Sequence, residues 1–134
     1  MSLNNIKIRV SVGKFYDDIS KDKKKTKVDS KALSMSLGYD EDIINEFPDE
    51  INMGLSCGNP INHLKIKEGQ TLIDLGCGAG MDIFVTKMKN PKVGMLYGLD
   101  RLDSMLDKAK KVRDNKKFDN IFCNIKINNL FRGI

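Results

Sequence analysis

Between Thr71 and Asp100 the chain reads apolar run, glycine turn, amphipathic helix, apolar run and acid, and that order leaves few folds open. Thr71 to Leu75 predicts a short strand, followed by Gly76-Cys77-Gly78-Ala79-Gly80. Met81, Phe84, Val85 and Met88 then recur at helical spacing. Val93 to Leu99 predicts a second strand and ends in Asp100. Leu102, Met105, Leu106, Ala109 and Val112 stripe a second helix, and a third strand is predicted over 121–127. Strand and helix in alternation imply parallel strands joined by right-handed crossovers, with the methionine-rich helix faces spent on the core. The predicted class is α/β, a Rossmann-like sheet.

A strand that runs through a glycine turn into a helix lets a ligand approach bare backbone. An acid at the end of the next strand, about 20 residues on, can accept hydrogen bonds from ribose hydroxyls. Asp100 suits either an adenosyl or a nicotinamide ligand. The glycine spacing separates them. A dinucleotide fingerprint would place its third glycine where this chain has Met81. The tighter set Gly76, Gly78, Gly80, with Asp74 ahead of it, resembles the first motif of S-adenosylmethionine-dependent methyltransferases.

Composition narrows the partners. The net charge is +5, but the basic residues are overwhelmingly lysine, whereas phosphate surfaces favour the planar fork of arginine. The densest run, from Lys21 to Lys31, holds no aromatic residue and reads as a solvated linker. Nucleic acid is therefore not an expected partner. No stretch approaches the ~20 apolar residues of a membrane span, and no secretory leader is visible. Three cysteines without paired spacing point to a reducing, cytoplasmic setting.

The first segment is ambiguous between a strand (Ile6, Ile8, Val10, Val12) and a helical face (Val12, Phe15, Tyr16, Ile19). Asp40 is placed to cap a short helix through Ile43 and Ile44 that ends before Pro48. Asn59 is expected to cap a helix opened by Pro60, with Ile61 and Leu64 on its buried side. That helix dipole would lower the thiol pKa of Cys57 and favour its thiolate; the other reading of the same spacing is a buried structural cysteine. Cys77 reads as a small packing residue under the turn, and Cys123 as a strand residue facing the helices. His63, the one histidine, reads as a surface residue. The expected boundary lies near Ile66–Gly69. It separates a helical N-terminal cap (1–68) from the sheet (69–134).

The stretches Leu37-Gly38-Tyr39, Gly54-Leu55-Ser56-Cys57-Gly58-Asn59-Pro60 and the glycine turn, in that order, resemble the arsenite methyltransferase family. So do Gly98-Leu99-Asp100 and Met105-Leu106-Asp107-Lys108-Ala109. The resemblance favours the helical reading of the first segment. It implies S-adenosylmethionine as cofactor and a class I methyltransferase sheet whose strand order runs third, second, first, then fourth. Asp74, Gly76, Cys77, Gly78 and Gly80 would take the methionine end, with Asp82 supporting the turn. Asp100 and the adjoining Arg101 would hold the ribose side. Cys57 would be the catalytic thiolate facing a small-molecule acceptor, and a single thiolate ligand for trivalent arsenic.

The chain also departs from that pattern. Residues 1–56 contain no cysteine, the fourth-strand Asn-Cys-Val element lies beyond Ile134, and Asn128-Asn129 stands where the family has an acidic loop. One thiolate cannot reproduce a chelate of several sulfurs. The chain is thus expected to represent the N-terminal half of such an enzyme. The alternatives are a non-catalytic cofactor-binding module that acts by assembling with another chain, and a dehydrogenase-type nucleotide binder. Ending after the third strand would leave the first at a sheet edge. Self-association through that edge is expected, unless 6–12 folds back to cover it.

Overall fold

A computed structural model describes residues 29–52 and 58–126. The ambiguous segment before Ile19, most of the lysine run and Cys57 lie outside these residues. The described elements are α1 (Ser30–Ser36), α2 (Glu41–Asn45), a single 3-10 turn (Pro60–His63), β1 (Leu72–Leu75), α3 (Met81–Lys89), β2 (Leu96–Asp100), α4 (Asp103–Asn115) and β3 (Ile121–Lys126).

The three strands are parallel and ordered β1-β2-β3, so the expected half-sheet with the first strand at one side is present. β2 begins three residues later than expected, at Leu96. Val93 and Gly94 belong to the lead-in, where Val93 N–H donates to the Asn90 carbonyl and Gly94 N–H to the Gln70 carbonyl. On one face Leu96, Gly98, Ile121 and Cys123 are buried, and α3 and α4 pack against the strands. The other face is poorly covered at β1. Ile73 is 62% and Leu75 68% exposed, although an apolar run of this kind reads as an interior strand. Among the described residues no strand pairs with the outer edge of β1.

The α4 stripe packs as its periodicity predicts: Met105, Leu106, Ala109 and Val112 are buried and Leu102 is partly so. α3 is buried over a wider arc than its stripe, adding Ile83 and Thr86, because it has protein on two sides. The sheet lies beneath it, while α2 and the 3-10 turn flank it. Phe84, fully buried, stacks at 5.4 Å on Phe47 and at 6.2 Å on Phe118. Lys116 closes that stack from the surface, lying 5.4 Å above the Phe47 ring and pairing with Glu46 at 3.0 Å. Tyr39, Ile44, Phe47 and Ile51 thus share one core with the sheet residues.

Two local expectations change. The lysine-rich linker ends earlier than expected, because Asp29 caps α1 by accepting from the N–H groups of Lys31 and Ala32. α1 then stops in a Schellman motif. Gly38, at φ 86, lets its own N–H reach the Met35 carbonyl and that of Tyr39 reach Ser34. The second change concerns Asn59. Pro60 does open a helical turn, but it is a four-residue 3-10 turn with no side-chain cap from Asn59. A single 3-10 turn aligns too few peptides to act on a thiol as a full helix would. The Asp40 cap is as expected, accepting from Asp42 N–H at 3.0 Å.

Gly98 sits mid-strand in β2, where the helices and the turn come closest to the sheet. A Cβ there would lie 2.6 Å from Ile83 Cδ1 and 2.8 Å from Cys77 Sγ. Gly98→Ala is therefore expected to lower unfolding stability by about 1–3 kcal/mol through overpacking. Urea denaturation measures this, and an unchanged midpoint would contradict the packing described.

Candidate functional site

The glycine turn is built by backbone that has nowhere else to go. As β1 ends, Gly76 and Cys77 both direct their N–H groups to the Leu99 carbonyl, at 2.7 and 2.9 Å. The chain then bends back on itself, and Gly80 N–H closes the turn on the Cys77 carbonyl at 2.9 Å. Gly76, Gly78 and Gly80 all have positive φ, which L side chains rarely adopt. They differ in what surrounds them. A Cβ on Gly76 or Gly78 would meet nothing within 4 Å, so their bare backbone faces open space. A Cβ on Gly80 would lie 2.8 Å from the Phe84 ring, so the third glycine serves the packing of α3.

Asp100 joins the turn to the next crossover. Its Oδ2 accepts from Gly78 N–H at 2.8 Å and its Oδ1 from Leu102 N–H at 2.9 Å. Each oxygen retains a second lone pair. Arg101, half-buried, follows it on the way into α4.

Carboxylates gather around this backbone. Asp74 stands on β1 just before the turn, and its pKa is pushed up to about 6. Burial is the main cause, and the charges of Asp82 and Asp100 add to it. Asp82, in the first turn of α3, is also raised by burial, against a lowering hydrogen bond from Tyr39. It does not brace the turn directly, as the sequence suggested. Its Oδ1 instead lies 2.5 Å from the Tyr39 hydroxyl, which is also 3.0 Å from the Gly58 carbonyl. The hydroxyl has one proton, so it donates to one of these two oxygens at a time. Tyr39 therefore ties the start of α3 to the residue following Cys57. Sequence reading quoted Tyr39 in a motif without giving it a role. The available signal was Gly38, which ends α1 and turns Tyr39 inward.

Beside these residues is a cavity of about 160 Å³. Pro60, Ile61 and Leu64 form one side, and Leu72, Asp74 and Asp82 another. Asn59, which precedes Pro60, is buried, and neither of its amide atoms has a hydrogen-bond partner among the described residues. Cys77 is buried under the turn and Cys123 is fully buried in β3, as their packing roles require. His63 is exposed. Among the described residues no group of three or more His, Cys, Asp or Glu side chains could hold a metal ion. No described helix is long and apolar enough to cross a membrane.

Asp74, Gly76, Cys77, Gly78, Gly80, Asp82 and Asp100 thus come together at one end of the sheet. Cys57 lies outside the described residues; Gly58 beside it reaches the group through Tyr39.

Comparison with known proteins agrees with this geometry. A methyltransferase-domain family profile matches residues 66–131. An arsenite methyltransferase of Halobacterium salinarum is 37% identical over 78 residues, which cover 58% of this chain and 20% of that enzyme. The matched stretch therefore spans about a fifth of the length of that curated relative. Among solved structures, the YcgJ protein of Bacillus subtilis is 22% identical over 46% of this chain and 25% of its own, with a TM-score of 0.41. Strand, glycine turn, helix and acid over residues 66–131 are those of the methyltransferase-domain family, in a chain whose sequence is arsenite methyltransferase-like.

Proposed function

We propose that the glycine turn binds S-adenosylmethionine and that the chain contributes this site to methyl transfer onto a soft, thiophilic acceptor such as trivalent arsenic. The observation that carries the reading is the sign of the charge around the turn. Asp74, Asp82 and Asp100 surround exposed glycine backbone, and their mutual repulsion is already enough to help raise the pKa of Asp74. A pyrophosphate would add negative charge to that field, whereas a ligand with an ammonium and a sulfonium relieves it. The donor set therefore suits S-adenosylmethionine and disfavours a dinucleotide.

In this reading the Gly76 and Gly78 backbone takes the amino-acid end, with Asp74 balancing its ammonium. The free lone pairs of Asp100 accept from the ribose hydroxyls, and Arg101 flanks them. The cofactor supplies an electrophilic methyl group on a sulfonium. The chain's own share is to orient that group and hold it beside the loop of Cys57, whose thiolate would bind the acceptor. Tyr39 links that loop to α3 through Gly58 and Asp82. The similarity to the Halobacterium salinarum enzyme supports the arsenical acceptor.

A second reading, a cofactor-binding module that works by assembling with another chain, is favoured by the exposed apolar face at Ile73 and Leu75 and by the outer edge of β1, unpaired among the described residues. In it a second copy covers β1, most simply in a symmetric dimer.

Calorimetric titration tests the ligand. S-adenosylmethionine should bind while NAD gives no heat, and Asp100→Ala should weaken binding by about ten- to a hundredfold, as expected for lost charge-assisted hydrogen bonds. Because a cationic ligand favours ionised Asp74, affinity should rise as pH increases through about 6 and level off above it. Tighter binding of NAD, or affinity that falls over that interval, would overturn the assignment. Light scattering over a dilution series tests the assembly. A dimer that dissociates on dilution is expected, and a monomer at every concentration with protected Leu72 and Ile73 amides would contradict it.

A further inference from the structure

The turn and the sheet also bring together two thiols to which the proposed function gives no chemistry. Cys77 comes from the loop after β1 and Cys123 from β3, with β2 running between them. Their side chains meet above Gly98. From the point where a Cβ on Gly98 would stand, Cys77 Sγ is 2.8 Å away and Cys123 Sγ 3.3 Å. Any larger residue at position 98 would occupy the place where the sulfurs converge. The Cys77 thiol lies 3.5 Å from the Gly78 carbonyl oxygen, to which it donates. Cys123 is fully buried, and Cys77 is 8% exposed and is the nearer of the two to the open space beside the turn.

We propose that Cys77 and Cys123 form an oxidisable dithiol that closes to a disulfide across Gly98 when the protein meets a hydroperoxide. The step balances as a two-electron oxidation. Cys77 sulfur attacks the peroxide, the O–O bond breaks, and a sulfenic acid forms with release of one alcohol or water. Cys123 sulfur then attacks Cys77 sulfur, the S–O bond breaks, and the hydroxyl leaves as water with the remaining thiol proton. The sulfurs, both beside Gly98, must close to a bond of about 2 Å. Cys77 can supply that movement because it lies between Gly76 and Gly78, in a turn with open space beside both. The bond would tie the turn to β3 and fix the strand-to-turn distance on which the Gly78–Asp100 hydrogen bond depends.

The neighbouring Cys123 thiol, then burial and the carboxylates of Asp74 and Asp100, hold the Cys77 thiol well above the usual range. The reaction is therefore slow compared with that of an exposed thiolate, and its selectivity comes from convergence of the sulfurs. This inference rests on the thiol geometry alone and holds whatever ligand the turn accepts.

The whole chain, folded and reduced, is treated with hydrogen peroxide, its remaining thiols are alkylated, and the digest is mapped by mass spectrometry. The expected product is a monomer lighter by two hydrogens that has lost two of its three titratable thiols. A Cys77–Cys123 cross-linked peptide pair should account for that loss, with Cys57 alkylated and dithiothreitol restoring the starting mass. The same link should form in Cys57→Ser and lose its preference over the Cys57 pairings in denaturant. Oxygen addition at Cys77 with Cys123 still alkylated, a link through Cys57, or equal selectivity in denaturant would overturn the proposal.

Discussion

The carboxylate of Asp100 holds this structure's working end together. One oxygen fixes the middle glycine of the turn and the other fixes the entry to α4, so a single side chain sets the spacing between two successive crossovers. The turn needs such a partner. Its φ angles are those of glycine, which loses more conformational freedom on ordering than any other residue, and the space beside Gly76 and Gly78 holds no side chain to pack against them. Without the charge-assisted bond to Gly78 the segment would have only its two links to the Leu99 carbonyl and its own internal closure.

Gathering carboxylates for this purpose has an electrostatic consequence. Asp74 and Asp82 sit in the same partly buried corner as Asp100, and both are pushed toward their protonated forms. In the proposed reading, a cationic ligand would reverse that cost by restoring the charged state. Tyr39 takes part in the same balance from the other side, through its short contact with Asp82. The N-terminal helices are therefore part of the site. They share the aromatic core around Phe84, and the Schellman turn at Gly38 delivers the tyrosine to α3.

Much of this was legible in the sequence because it is local. Strand, turn and helix over residues 71–100 follow from periodicity, glycine placement and one acid, and the two helix stripes predict most of the buried side chains of α3 and α4. The failures have separate physical causes. α1 was hidden because its lysine, serine and methionine residues show little apolar period, although Asp29 and Gly38 mark its ends. Asn59 was assigned a capping role its type favours, but the segment after it makes a single turn and leaves the amide buried with no partner among the described residues. Ile83 and Thr86 fall outside the apolar stripe, because the periodicity of α3 alone gives no sign that a second layer covers it. The Tyr39–Asp82 and Cys77–Cys123 contacts join residues 43 and 46 positions apart, and no spacing rule reaches that far.

If Asp100 organises the turn as described, removing its carboxylate should loosen two distant amides together. Amide hydrogen exchange on Asp100→Ala is the direct measurement. Gly78 and Leu102 should lose protection in parallel, while Tyr97 and Leu99 within β2 keep theirs. Undiminished protection of Gly78 in the variant would show that the turn holds its shape without Asp100, and would contradict the account.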